Sequence, residues 1–262
     1  MTLDNTLKKA ANIDKTTNFI KVKGIMTMEK QNNFNQQRDF KIVLYRTGII
    51  ATAFMLAMIP VQIIFYLFWP HPTTIFDWFM LFQNNWIIGL ISFDILYLLS
   101  VITFIFLYLA LFYALKDENK SLSIFALTIG LIGLSIYFPS NTSIEMLSNS
   151  RQYAQAVTEQ EKTILLASGQ TLFSIWKGTS YAVYYVLNGI ALILFFSAMI
   201  KNNKFRKITV YIGLTSGILM TVPATAGKIG MTMALLSLIP WSIFSILVIK
   251  DFNKIISTTI TT

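Results

Sequence analysis

The sequence contains no cysteine and a single histidine, His71. The absence of cysteine excludes disulfides, thiolate-bound metals, iron–sulfur clusters and a cysteine nucleophile. One histidine also excludes a metal site that takes a histidine pair from this chain, such as the HExxH zinc motif. We therefore expect neither a metal nor a cofactor.

The motifs of nucleotide-binding and hydrolytic enzymes are missing as well. The chain has no GxxxxGK[ST] phosphate loop and no glycine-rich dinucleotide turn after a strand. His71 stands beside two prolines, far in sequence from any glycine-flanked serine, so no Ser–His pair is indicated. These absences favour a non-enzymatic role and leave enzyme activity without a visible set of catalytic residues.

Charged residues are scarce, whereas apolar runs are abundant. Only 13% of the residues are charged and 55% are hydrophobic, with a mean hydropathy of +0.60. Runs of about 20 apolar residues recur, each long enough for a hydrocarbon core of about 30 Å, and they lack the alternation of barrel strands. The sequence predicts an all-α polytopic membrane protein with six transmembrane helices, near residues 42–69, 86–115, 122–139, 180–200, 208–223 and 231–249.

The distribution of basic residues predicts the orientation. Seventeen of the 21 Lys and Arg residues fall in the segments on one side of the predicted spans, and four fall on the other side. Basic loops face the cytoplasm, so residues 1–41 are predicted as a flexible cytoplasmic tail, 42–252 as the transmembrane domain and 253–262 as a short cytoplasmic tail. The expected location is a plasma membrane, with both termini in the cytoplasm. The net charge of +9 reflects this topology, and no nucleic-acid partner is expected.

The longest segment on the outer side, residues 140–179, separates spans three and four. It has no Gly or Pro between positions 143 and 167, and its apolar residues recur at spacings of three and four. This pattern predicts an amphipathic outer helix that rests on the bundle and has Ser143 as its N-cap.

Asp94 is the strongest single feature, because it lies within the apolar run IGLISFDILYLLS of the second span. A charge at the centre of a membrane helix costs about 2.5 to 3.5 kcal/mol, so a compensating interaction is expected. On a continuous helix Asp94 and Tyr97 would share a face, in the outer half of the span. Lys177 and Lys228 could approach it there. Three interpretations stay open: an ion pair with one of these lysines, a proton or cation site, and a carboxylate exposed to water.

Asn188 in the fourth span is the second polar residue at an apolar depth. A hydrogen bond between helices explains it more simply than ligand binding does. Gly213 and Gly217 match GxxxG, and Gly130 with Gly133 forms a small-residue face on the third span. Both pairs indicate close helix packing.

The run GLTSGILMTVP, a glycine-containing bend and the run IPWSIFSILVIKDF follow one another near the end of the chain. With six spans and a long outer segment, residues 41–252 resemble an uncharacterised bacterial membrane-protein family, domain of unknown function 4386. The resemblance implies a six-helix bacterial integral membrane protein with no assigned reaction. It transfers no catalytic residues.

The expected function is a non-enzymatic membrane module that binds a lipid, an apolar molecule or a partner protein, with a second copy of the chain as one such partner. The alternative is a small secondary transporter, or a carrier coupled to protons or cations, that uses Asp94. The polar residues expected within the membrane are Asp94, Tyr97, Asn188, Lys177 and Lys228.

Overall fold

A computed structural model describes residues 3–261, with side chains from Glu29 onward. Within this range the chain is all-helical and contains no strand, which confirms the predicted class. The ten α-helices of this range are α1 (Leu3–Phe68), α2 (Ile75–Asn84), α3 (Trp86–Ser92), α4 (Ile95–Leu115), α5 (Lys120–Tyr137), α6 (Ser143–Gln155), α7 (Glu159–Trp176), α8 (Thr179–Met199), α9 (Lys207–Leu219) and α10 (Gly227–Thr261). A short 3₁₀ helix at Phe138–Ser140 joins α5 to α6.

Five helical stretches of the described chain are long and apolar enough to cross a membrane. They are Glu29–Phe68, Ile95–Leu115, Lys120–Gln155, Glu159–Met199 and Gly227–Thr261. The remaining predicted span, the fifth, at residues 208–223, corresponds to α9, which has 13 residues. At a rise of about 1.5 Å per residue, α9 is about 20 Å long, less than the thickness of a hydrocarbon core. The structure thus supports five of the six predicted spans by length and composition.

Both predicted tails are helical rather than irregular. α1 already begins at Leu3, and α10 continues to Thr261. Lys, Gln and Glu are good helix formers, and extending a helix that already exists avoids the cost of nucleation. The composition of the tails indicated only that they are polar, and a polar segment attached to a long helix can remain helical.

The main core lies where α4, α5, α8, α9, α10 and the second half of α1 pack together. Large aromatic side chains fill it, among them Tyr108, Phe195, Phe196, Phe244 and Phe252, each fully buried. The predicted glycine faces lie at helix contacts. A Cβ on Gly130 would approach the Tyr108 ring to 2.5 Å, and one on Gly213 would approach the Phe196 ring to 2.5 Å. These glycines therefore allow the close approach of neighbouring helices.

A second apolar core lies at one end of the bundle, beneath α2, α6 and α7, which we call the cap. It contains Trp78, Phe79, Phe82, Phe93, Met146, Leu147 and Trp176. Residues 140–179 were predicted to contain one outer helix, but they contain two, α6 and α7. The second helix starts separately because Thr158 and Glu161 form a capping box at the beginning of α7. Ser143 is the first residue of α6 and not its N-cap, since Thr142 occupies that position.

The opposite end carries most of the basic residues, and we call it the basic end. Here an ion pair between Arg206 and the buried Asp251 holds the α8–α9 loop against α10. Asp251 is only 1% exposed; its carboxylate accepts hydrogen bonds from Arg206 Nε at 2.5 Å and from Thr209 Oγ1 at 2.6 Å. Arg206 also donates to the Leu247 carbonyl at 2.8 Å. Asp251 lies at the end of a predicted span, where its sequence position resembles that of an ordinary interfacial charge, so its buried role was not predicted.

Candidate functional site

Asp94 lies at a break between two helices and not within a continuous second span. α3 ends at Ser92 and α4 begins at Ile95. Asp94 has φ 64° and ψ 25°, and it is the only non-glycine residue with positive φ in the described chain. Side chains seldom adopt this left-handed conformation, but Asp and Asn tolerate it better than most residues do. The prediction of one helix from 86 to 115 is therefore wrong, because this break does not require glycine or proline.

The Asp94 carboxylate is held by two neutral donors. The Tyr66 hydroxyl donates to Oδ1 at 2.6 Å, and the Trp176 indole N–H donates to Oδ2 at 3.1 Å. These contacts connect the end of α1, the α3–α4 break and the end of α7. Asp94 thereby joins the cap to the bundle.

Neither lysine forms an ion pair with Asp94. Among the side chains of residues 29–261, no Lys or Arg nitrogen lies within 4.0 Å of this carboxylate. The Lys177 ammonium lies over the rings of Trp176, at 4.6 Å, and Phe173, at 5.3 Å. Lys228 is exposed in the first turn of α10. The ion-pair interpretation is wrong, and the proton or cation site and the water-exposed carboxylate remain as alternatives.

His71 also belongs to this group of residues. Its ring stacks on Tyr66 with the centroids 4.6 Å apart and lies about 6 Å from the rings of Trp78 and Trp176. Partial burial lowers the pKa of His71, and the Lys177 charge acts in the same direction while Asp94 opposes it. The imidazole is therefore neutral at neutral pH. Sequence spacing did not connect His71 with Asp94, because they lie on different segments of the chain.

Tyr97 belongs to a second, deeper polar group. Its hydroxyl lies 2.8 Å from the Tyr184 hydroxyl, and the Tyr137 ring packs against both tyrosines at 5.3 and 4.9 Å. Asp94 and Tyr97 thus bind different partners, and the helix face predicted for them does not form. One helical turn further along α8, Asn188 completes the group.

Asn188 is 1% exposed and makes the interhelical hydrogen bond expected of it. Its Oδ1 accepts from the Tyr108 hydroxyl at 2.7 Å, and its Nδ2 donates to the Tyr184 carbonyl at 2.8 Å. A Cβ on Gly133 would lie 2.7 Å from Asn188 Nδ2, so this glycine makes room for the amide. Asn188 therefore joins α4 to α8, with α5 packed closely against it.

A cavity of about 260 Å³ lies between these two polar groups. Its walls come from α1, α4, α8, α10 and the residue after α9. It is lined by Met55, Met58, Ile59, Gln62, Ile63, Tyr66, Tyr97, Ser100, Phe104, Tyr185, Met220, Ser237, Leu238 and Trp241. Tyr66 and Tyr97 reach it, whereas Asp94, Lys177, Lys228 and Asn188 do not. The cavity combines an apolar wall with a few hydroxyl and amide groups, the usual composition of a small-molecule pocket.

Three residues of this site were missed by the sequence analysis: Gln62, Tyr66 and Trp176. Gln62 could have been identified from the sequence, because it is a primary amide within the apolar stretch LAMIPVQIIFYLF. Tyr66 and Trp176 could not have been identified in this way, since aromatic residues are common at the ends of membrane helices. Among the side chains that the structure describes, no three His, Cys, Asp or Glu residues gather as metal ligands would.

The chain matches no family model, no curated protein and no solved structure. The family resemblance drawn from its sequence therefore stays a prediction.

Proposed function

We propose that this chain is an integral membrane protein with its basic end in the cytoplasm and its cap outside. Large apolar side chains point outward along the long helices, for example Leu67 at 77% exposure and Ile239 at 63%. Contiguous exposed apolar surface of this kind is rare on soluble monomers, and it fits acyl chains. The basic residues at one end support the same orientation.

We propose further that the protein binds a lipid or another apolar molecule, without catalysing a reaction on it. The observation that carries this proposal is the cavity of about 260 Å³ between α1, α4, α8 and α10. Its lining includes Met55, Met58 and Met220, whose flexible thioethers adapt to ligands of different shape. Ile63, one of the lining residues, is 51% exposed, so the cavity lies close to the lipid-facing surface.

A matched pair of substitutions on α1 tests this proposal. Ile59 lines the cavity, whereas Ile64 is 55% exposed and does not line it. We expect purified protein in detergent to bind tritiated methyl laurate saturably. Ile59→Trp should weaken this binding at least tenfold by filling the cavity, and Ile64→Trp should leave it unchanged. Absence of saturable binding, or equal losses in both variants, would contradict the proposal.

The alternative function is a carrier coupled to protons or cations through Asp94. Its specific support is that, among the residues whose side chains the structure describes, the Asp94 carboxylate has only neutral hydrogen-bond donors, and that Tyr66 both binds Asp94 and lines the cavity. Proteoliposomes with an imposed pH gradient test it. The alternative requires a proton flux that Asp94→Asn abolishes while methyl laurate binding persists. If the wild-type protein shows no proton flux, the carrier alternative loses its support.

A further inference from the structure

The cavity presents an unused hydrogen-bond donor, which restricts what it can bind. Tyr97 and Tyr184 share one hydrogen bond between their two hydroxyls, at 2.8 Å, so one of the two protons is left over. Tyr184 is 1% exposed and does not line the cavity. Tyr97 is partly exposed and lines it. The proton that is not used in this hydrogen bond therefore belongs to whichever of the two tyrosines accepts.

The geometry allows either hydroxyl to donate, and the deeper burial of Tyr184 favours Tyr184 as the donor. If Tyr97 donated, the Tyr184 proton would be enclosed without an acceptor, which is costly. The neighbouring Tyr137 hydroxyl does not supply one, because it has no hydrogen-bond partner among the described residues. If Tyr184 donates to Tyr97, every buried proton of the pair is satisfied. The Tyr97 proton is then left for a partner in the cavity that Tyr97 lines.

Gln62 adds a second polar group without a partner. Its side chain lines the cavity and makes no hydrogen bond to any residue that the structure describes. Tyr66, one turn further along α1, gives its proton to Asp94 and so offers the cavity only acceptor lone pairs. An unpartnered amide in an apolar helix is unfavourable unless a ligand or water binds it.

The lining excludes charged ligands. None of its fourteen residues is Lys, Arg, His, Asp or Glu. A charged group would lose its hydration there and meet no opposite charge. The apolar walls, with the Phe104 and Trp241 rings stacked at 5.3 Å, suit a hydrocarbon chain or ring.

We propose that the ligand is a small neutral lipophilic molecule with a hydrogen-bond acceptor, such as an ester or ketone oxygen, that receives the Tyr97 hydroxyl proton while Gln62 binds the same polar end. This proposal rests on the proposed function, since it specifies the ligand of the same cavity. Tyr97 acts here as the residue that selects the polar group, and the apolar walls supply the general affinity.

Three tritiated probes with a twelve-carbon chain test the proposal at neutral pH: methyl laurate, dodecane and laurate. Wild-type protein should bind methyl laurate roughly fivefold to tenfold more tightly than dodecane, the effect of one hydrogen bond, and should bind laurate more weakly than methyl laurate. Tyr97→Phe should lower methyl laurate affinity toward that of dodecane, and the remaining difference should reflect the Gln62 amide. Unchanged dodecane binding in this variant shows that the cavity is still folded.

Two control variants accompany Tyr97→Phe. Tyr184→Phe removes the donor to Tyr97 but leaves the Tyr97 proton available, so the preference for methyl laurate should persist. Tyr211→Phe, at a site 58% exposed on α9 and outside the cavity, should change nothing. Equal binding of methyl laurate and dodecane by wild-type protein, or an undiminished preference for methyl laurate in Tyr97→Phe, would overturn the inference while leaving the proposed function intact. If no probe binds saturably, the proposed function itself fails.

Discussion

Asp94 combines two properties that no other residue type supplies together. Its carboxylate offers one oxygen to Tyr66 and the other to Trp176, and its backbone holds a left-handed conformation at φ 64°. Asn matches the conformation but offers only one acceptor oxygen, and Glu is less suited to the left-handed region. The residue therefore ends α3, starts α4 and connects the cap to the bundle at a single position.

Replacing Asp94 by Gly or by Ala tests the backbone conformation directly. Both substitutions remove the carboxylate, so the Tyr66 and Trp176 donors lose their acceptor in each case. Because φ is 64°, we expect Asp94→Gly to be more stable than Asp94→Ala by about 1 to 2 kcal/mol. A continuous helix would give the opposite order, with Ala favoured by about 0.5 to 1 kcal/mol. Thermal unfolding of both variants in the same detergent decides between the two structures.

At the scale of single residues, the sequence revealed that Asp94 needs compensation but not how it is compensated. A charge in an apolar run is visible without a structure, whereas its partners lie 28 positions before it, at Tyr66, and 82 positions after it, at Trp176. No local spacing rule connects such positions. Opposite charge was the natural criterion for a partner, and it pointed to Lys177 and Lys228. Two neutral donors satisfy the carboxylate instead.

The helices themselves were largely predictable, and their breaks were not. Apolar runs predicted where the long helices lie, and for α8 they also predicted both ends, at 180–200 against the observed Thr179–Met199. The break at Asp94 escaped prediction because neither Gly nor Pro marks it. The start of α7 did carry a signal, since Thr158 and Glu161 have the spacing of a capping box. Composition alone also could not show that the polar ends of α1 and α10 are helical.

Packing between α5 and α8 provides a test at the scale of elements. A Cβ on Gly133 would lie 2.7 Å from Asn188 Nδ2 and 3.0 Å from Leu187 Cβ. Helix propensity favours Ala over Gly by about 1 kcal/mol, but overpacking costs about 1 to 3 kcal/mol. We therefore expect Gly133→Ala to lower the free energy of unfolding. The exposed Ser135→Ala on the same helix should have little effect.

A double-mutant cycle identifies the clash with Asn188 as the cause. Asn188→Ala removes the amide that the new methyl group would meet, so the combined substitutions should be less destabilising than their sum by about 0.5 to 3 kcal/mol. Additive effects would show that Gly133 does not accommodate Asn188. Chemical unfolding of the four proteins in one detergent provides the measurement.

For the whole molecule, the two ends of the bundle differ in charge and in structure. The basic end carries short loops and the Arg206–Asp251 ion pair, whereas the cap has its own apolar core beneath α2, α6 and α7. In the proposed orientation the cap faces outward and covers the outer ends of the helices, where Asp94 joins it to them. The cavity then opens toward lipid beneath the cap, which suits a ligand that reaches it from the bilayer.

Single introduced cysteines test this orientation, and no native cysteine has to be removed first, because the chain contains none. Val157 lies between α6 and α7 in the cap and is 88% exposed, and Asn203 is exposed in the α8–α9 loop at the basic end. With a membrane-impermeant maleimide added to intact bacterial cells, we expect Val157→Cys to be labelled and Asn203→Cys to be labelled only after permeabilisation. The reverse labelling pattern would indicate the opposite orientation, with the cap in the cytoplasm. Labelling of both in intact cells would place the two ends on the same side, so that the bundle would not cross the membrane as proposed.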